Sequence, residues 1–181
     1  SLLLSLALRY PPDYLNIVLI DYKGGGIKES LSYNNQTIPH IIASLTNLND
    51  YGLERLIIAL NNECKRRQLL FKKLSDISNV SIMNLDDYTD NNVYSLDNIA
   101  HLLIVVDEFA ELKKNNPEQI KELISISRIG RSLGIHLILA TQKPAGVIDD
   151  EIWSNSRFKI ALKVFEEKDS IDKILEALTF F

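Results

Sequence analysis

Asp107 and Glu108 stand side by side at the end of an unbroken apolar run, Leu102 to Val106. Two adjacent carboxylates at a strand end suit phosphate hydrolysis. In nucleotide hydrolases the first acid of such a pair holds Mg²⁺, usually through water, and the second orients and deprotonates the attacking water. The same pair also suits the start of a helix, where acids complement the dipole. The pattern by itself leaves both readings open.

Three further groups carry possible chemistry. Thr141 and Gln142 close the run His136 to Gln142, HLILATQ. A polar residue at such a tip senses a γ-phosphate or positions water, although Thr and Gln also end strands for ordinary reasons. Asp21 closes Asn16 to Tyr22, NIVLIDY, and Lys23-Gly24-Gly25-Gly26 follows. Glycines there permit positive φ and close backbone approach to a ligand. The P-loop spacing G-x-x-x-x-G-K-[ST] is absent throughout the chain, so KGGG reads as a turn. Arg128 and Arg131 are three apart and project from one side of a helix end. Such arginines are commonly dipole partners or surface charge, and they also suit a phosphate reached across a subunit interface. His40 has no Cys, His or acid partner at metal spacing and reads as a surface or turn residue.

These residues need a scaffold that brings distant segments together. Val- and Ile-rich runs without alternation read as strands buried on both faces of a parallel sheet. Strands at 16–21, 102–107 and 136–141 alternate with helical patterns, and each ends in polar residues. That is the layout of an α/β protein whose sheet has one functional edge. Asp21, Asp107, Glu108, Thr141 and Gln142 are expected to converge there.

The remaining segments fill in around this frame. Residues 1–10, SLLLSLALRY, read as a buried-looking helix ended by Pro11-Pro12. Residues 27–50 are polar and mixed, with Pro39-His40 and Thr46-Asn47 marking turns, and 76–98 read as a loop. Between them Leu53, Leu56, Ile57, Leu60, Cys64, Phe71 and Leu74 follow helical spacing. Lys65-Arg66-Arg67 and Lys72-Lys73 give that helix a basic half, which suits a solvated face and also a subunit-interface or nucleic-acid role. Asn116, Pro117 and Glu118 start a helix running to about Leu133, with Ile120, Leu123, Ile124 and Leu133 inward and Gly134 as its cap. Phe158 to Val164 reads as an edge strand, and EEKDSIDKILEAL after it as a short terminal helix.

The length, 181 residues, suits one α/β domain spanning 1–181. With 46% hydrophobic and 24% charged residues the chain is expected to fold as a globule. A balance of 24 acids against 20 bases does not announce a nucleic-acid surface, although a ring-shaped motor contacts DNA through only a few loops. The single Cys64 suits a reducing compartment and a packing role. No apolar run approaches about 18 residues and no signal peptide is present, so this segment is expected neither to span a membrane nor to be exported itself.

Four blocks carry a resemblance that periodicity does not supply: IDYKGGG at 20–26, VVDEFAELK at 105–113, RIGRSLGIHLILATQKPAGV at 128–147 and IWSNSRFKIALKV at 152–164. They resemble the FtsK/SpoIIIE family of P-loop motors, most of all the FtsK/SpoIIIE domains of EssC/EccC-type proteins. Those are membrane-anchored ATPases of type VII secretion in Gram-positive bacteria. The resemblance implies a RecA-like P-loop NTPase fold with a mainly parallel sheet flanked by helices. It makes Asp107 the Mg²⁺-associated acid of a Walker B motif and Glu108 the water-activating one. Thr141 and Gln142 fall at its sensor position, and Arg128, Arg131 and Arg157 are candidates for an arginine finger reaching a neighbouring subunit. Asp21 and Lys23 lie in a family block without a derived role.

The resemblance further implies ATP and Mg²⁺ as ligands, a hexamer when active, and a cytoplasmic domain of a membrane-anchored protein. Its partners would be other membrane components of the secretion machine and secreted WXG-type helical proteins, with DNA disfavoured. The family's Walker A loop precedes the helix that SLLLSLAL resembles. The P-loop strand is therefore expected to be missing, the sheet to have a gap between the Thr141 strand and the last one, and the 181 residues alone to be inactive. EALTFF at 176–181 departs from the family pattern. Two other readings stand beside the secretion motor: a DNA translocase of the same family, and a catalytically silent module that binds substrate or regulates a neighbour.

Overall fold

The run Leu102 to Val106 lies inside a six-stranded sheet, and all five residues are buried. The structure, a computed structural model, describes residues 2–22, 24, 26–34, 36–46, 50–94, 96–142, 152, 154, 156, 158–161 and 177–180. The first half contains α1 (Leu2–Arg9), β1 (Leu15–Asp21), α2 (Gly26–Ser30), β2 (Ser32–Tyr33), β3 (Gln36–Thr37) and β4 (Ile41–Thr46). Next come α3 (Asp50–Ser78), α4 (Leu85–Asn91), β5 (His101–Asp107) and α5 (Phe109–Asn115). The chain ends with α6 (Pro117–Gly130), β6 (Ile135–Leu139), β7 (Phe158–Ala161) and β8 (Ala177–Phe180).

The sheet order is β4-β1-β5-β6-β8-β7, with the first four strands parallel and β8 antiparallel to both neighbours. Successive residues of β5 feed opposite layers, as the period of a strand demands. Leu102, Ile104 and Val106 join the apolar faces of α3 and α6, whereas Leu103 and Val105 pack with Ile17, Leu19 and Ile138 on the other face. Leu3 and Leu6 of α1 lean against this second cluster, but no residue of α1 is buried and Leu8 is 82% exposed. The seven apolar residues expected inward on α3 are all buried, as are Ile120, Leu123, Ile124 and Leu133.

Several expectations are corrected. Residues 41–46, in the polar, mixed stretch where no strand was expected, form edge strand β4, paired in parallel with β1. IIASLT lacks clean alternation because the edge position leaves its residues only half covered. The stretch 76–98, read as loop, contains α4. Asn84 Oδ1 accepts from the Asp87 amide at 2.9 Å and Asp87 Oδ2 accepts from the Met83 amide at 3.0 Å, a reciprocal cap in a segment whose polarity conceals it. Tyr88 of this helix is buried and stacks on Phe71 with ring centroids 5.2 Å apart.

His40 is buried, not superficial, and its Nε2 donates to the Tyr10 carbonyl at 2.7 Å. α6 ends at Gly130, and Gly134 takes φ +75° at the close of the following turn. The expected terminal helix falls on residues mostly outside those described, but Ala177 and Leu178 belong to β8. That strand also removes the expected gap: it lies between β6 and β7, where it supplies backbone partners to the open side of β6.

The basic half of α3 divides in two. Lys65, Arg66, Lys72 and Lys73 are exposed, but Arg67 is 4% exposed. Its Nε donates to Glu63 Oε1 at 2.7 Å and its Nη1 to the Leu133 carbonyl at 2.6 Å, so it ties α3 to the turn after α6. Burial pushes the Glu63 carboxyl up, but hydrogen bonds from Arg66 and Arg67 outweigh this and hold it below its usual value. Arg67→Ala strands the Leu133 carbonyl and half of the Glu63 pair. It is expected to cost about 3 kcal/mol, seen as a lower urea midpoint at unchanged m.

A half-buried polar contact lies at the amino ends of β5 and β6. His101 Nδ1 and His136 Nε2 are 3.1 Å apart with the rings stacked, so one ring donates to the other. With both rings protonated no acceptor would remain. Burial pushes the His101 imidazole below its ordinary value of 6.5; Asp86 opposes this and Arg67 adds to it. The folded protein thus binds this proton less readily than the unfolded chain. The stability it contributes is full above pH 6.5 and is lost as pH falls through the lower folded value. Urea midpoints are expected to drop as pH falls below 6.5, with the slope flattened in His101→Gln.

Candidate functional site

The carboxyl tips of β1, β5 and β6 lie level. Asp21 is the register partner of Asp107, and Val106 that of Leu139. Just beyond the strands, the Ala140 amide donates to the Val106 carbonyl at 2.9 Å and the Phe109 amide to the Ala140 carbonyl at 2.8 Å. Asp107, Glu108 and Thr141 are thereby held at one edge, with Asp107 and Thr141 half-buried and Gln142 exposed.

Glu108 has φ 54° and ψ 52°, the left-handed region, and stands at the N-cap of α5 without a side-chain cap bond. A non-glycine residue there costs about 1–2 kcal/mol. Such geometry persists where the surroundings over-determine it. Here the strand on one side and fully buried Phe109 on the other impose it. The pair does precede a helix, yet the Glu108 carboxylate contributes no cap bond. A reading as a helix start therefore leaves its conformation unexplained, and its carboxylate remains positioned at the strand tip.

Asp21 is used differently. It is 3% exposed, and its Oδ1 accepts from the Gly24 amide at 3.0 Å and its Oδ2 from the Ile27 amide at 3.5 Å. These bonds draw the Gly24 and Ile27 amides toward the tip of β1, with Gly24 at φ 92°. A Cβ placed on Gly26 would meet nothing within 4 Å, so that glycine is not required by crowding. Lys23 and Arg157 lie outside the described residues.

Arg128 and Arg131 are both exposed and lie at the other end of the sheet. The turn from Arg131 leads into Ile135, the register partner of Leu102 at the start of β5. Asp107 ends that strand, roughly 17 Å further along at 3.3 Å per residue. Neither arginine therefore joins the carboxylates of its own chain.

Among the described residues no group of three or more His, Cys, Asp or Glu side chains is arranged to hold a metal ion. Mg²⁺ does not require such a cage: it keeps waters and takes one or two carboxylates together with substrate phosphates. The half-exposed Asp107 beside Glu108 fits that mode, and fits a protein-enclosed transition metal poorly.

Residues 1–146 match the FtsK/SpoIIIE family profile, and the chain belongs to the FtsK/SpoIIIE family. It is 44% identical over 173 residues to the ESX secretion system protein YukB of Bacillus subtilis, covering 93% of this chain and 11% of YukB. It is also 44% identical over 170 residues to the type VII secretion system protein EssC of Staphylococcus aureus, covering 94% of this chain and 11% of EssC. The chain thus spans about a ninth of these relatives.

Among solved structures, the cytoplasmic domain of the Thermomonospora curvata type VII secretion ATPase EccC matches with TM-score 0.72 and 32% identity, over 97% of this chain and 20% of that one. EssC (ATPases 2 and 3) from Geobacillus thermodenitrificans matches with TM-score 0.68 and 25% identity, over 86% of this chain and 27% of that one. The mainly parallel sheet flanked by helices is the RecA-like P-loop ATPase fold of these neighbours. No helix among the described residues is long and apolar enough to cross a membrane.

The sequence reading left Asp21 without a role and did not single out Tyr22 or Asn115 at this edge. The signal for Asp21 was present: an Asp three residues before a Gly is the spacing of a side-chain-to-backbone turn. Tyr22 and Asn115 carry no such mark, because their contact joins residues 93 positions apart.

Proposed function

We propose that residues 1–181 form one ATPase motor domain of a type VII secretion protein, coupling ATP binding and hydrolysis to protein export. The observation that supports this most is the Asp107–Glu108 pair at the tip of β5, with Glu108 held in a left-handed conformation, in a chain whose relatives are secretion proteins. When bound with ATP, Mg²⁺ offsets phosphate charge during transfer. Asp107 is the residue that would hold it, through water. Glu108 orients the attacking water and accepts its proton. Thr141 and Gln142, just past β6, sense the terminal phosphate.

An arginine from a neighbouring subunit completes the site, with Arg128, Arg131 and Arg157 as candidates. The remote position of Arg128 and Arg131 from their own carboxylates agrees with action in trans. The active form is a hexamer on the cytoplasmic side of a membrane-anchored protein. It works with the other membrane components of the machine on small helical export substrates.

The test is Mg²⁺-dependent ATP turnover by the protein that carries this chain, with and without DNA and over a range of salt. Turnover lost in Glu108→Gln and indifferent to DNA is the expected result. Hydrolysis stimulated by DNA in a salt-dependent way would replace export by DNA translocation. Absence of nucleotide binding and turnover in an enforced hexamer would replace it by a silent binding module.

A further inference from the structure

The short helix that begins at Glu108 is anchored at its far end by a contact across the sheet edge. Asn115, the last residue of α5, donates from Nδ2 to the hydroxyl of Tyr22, the residue after β1. The same Nδ2 donates to the Glu111 carbonyl at 3.0 Å, and the Glu111 amide donates to the Glu108 carbonyl at 3.1 Å. A continuous path of hydrogen bonds thus runs from Tyr22 to Glu108.

The path closes on itself. Tyr22 follows Asp21, whose carboxylate holds the Gly24–Ile27 turn and whose Cα is the register partner of Asp107. The ring is β1 tip, Tyr22, Asn115, α5, Glu108, Asp107 and back to β1.

A helix of seven residues is too short to hold itself in water. Buried Phe109 and Leu112 fix where α5 lies against the core. The Tyr22–Asn115 bond adds a further tie at the far end, beside buried Asn116, and reaches the Glu108 backbone through the Glu111 bonds. We infer that Tyr22 and Asn115 are positioning residues for hydrolysis: their clasp, set by the Asp21 turn, holds Glu108 at the angle needed to take a proton from water. This inference rests on the ATPase reading above.

The test uses the protein that carries this chain, with Tyr22→Phe, Asn115→Ala, the double variant and Asn115→Asp, and Glu108→Gln run in parallel. Tyr22→Phe is expected to lower kcat about tenfold with KM for ATP within about twofold, because the base is misplaced and nucleotide contacts are not. The double variant is expected to lose no more than either single one. Asn115→Asp is expected to stay slow, since its carboxylate accepts from the Tyr22 hydroxyl but cannot donate to the Glu111 carbonyl. A merely structural contact would lower melting temperature without this split in kcat and KM. Unchanged kcat in Tyr22→Phe, or additive losses in the double variant, while Glu108→Gln abolishes turnover, would overturn the clasp alone. Full turnover in Glu108→Gln would overturn the ATPase assignment of Glu108 and the clasp together.

Discussion

Glu108→Gln is expected to reduce ATP turnover at least about 100-fold while leaving nucleotide affinity nearly unchanged, since a positioned general base contributes roughly 10²–10⁴ in rate. The substitution keeps the size and backbone demands of the side chain, so the φ of 54° is no harder to hold. It removes only the ability to accept a proton. Glu108 is 4% exposed, and Gln keeps its volume and a carbonyl acceptor, so melting temperature is expected to change little. Asp107→Asn is expected to differ, weakening Mg²⁺-dependent nucleotide binding along with turnover. Isothermal titration with a non-hydrolysable nucleotide, beside a phosphate-release assay, separates the two. Retention of turnover in Glu108→Gln would remove Glu108 from the chemistry.

Phe109→Ala is expected to cost about 3–5 kcal/mol, the range for deleting a fully buried aromatic ring. Phe109 is 0% exposed and packs in the larger core cluster, and its amide is the strap to Ala140. The more telling effect is on activity. The ring fixes the first turn of α5, immediately after Glu108, so a cavity there frees the residue to leave its left-handed conformation. Leu123→Ala serves as the comparison: Leu123 is also 0% exposed but lies on α6, away from the strand tips. Urea unfolding should show both variants destabilised. At temperatures where both remain folded, Phe109→Ala should lose far more turnover. Equal activity in the two variants would mean that the Glu108 conformation does not depend on this ring.

The sequence by itself determined the layered core. β1, β5 and β6 are legible as unbroken apolar runs because strands buried on both faces have no polar side to show. The buried faces of α3 and α6 are legible because a helix with one covered side repeats its apolar residues every three or four positions. Asp107 and Glu108 stand out because two acids interrupt such a run abruptly.

Tertiary structure decided everything that depends on a partner distant in the chain. IIASLT becomes a strand because β1 offers it an edge, and Ala177 to Phe180 become one because β6 and β7 flank them. Arg67 is indistinguishable by composition from Arg66 beside it, yet a carbonyl 66 residues away buries one guanidinium and not the other. His40 is drawn inside by the carbonyl of Tyr10. The same holds at the candidate site. Residue types indicate which side chains can do chemistry, but the helix direction that carries Arg128 and Arg131 away from the carboxylates, and brings Asn115 to Tyr22, exists only once the layers are packed. Local pattern encodes burial, which is a property of one segment; position relative to another segment is a property of two, and only the folded chain supplies both.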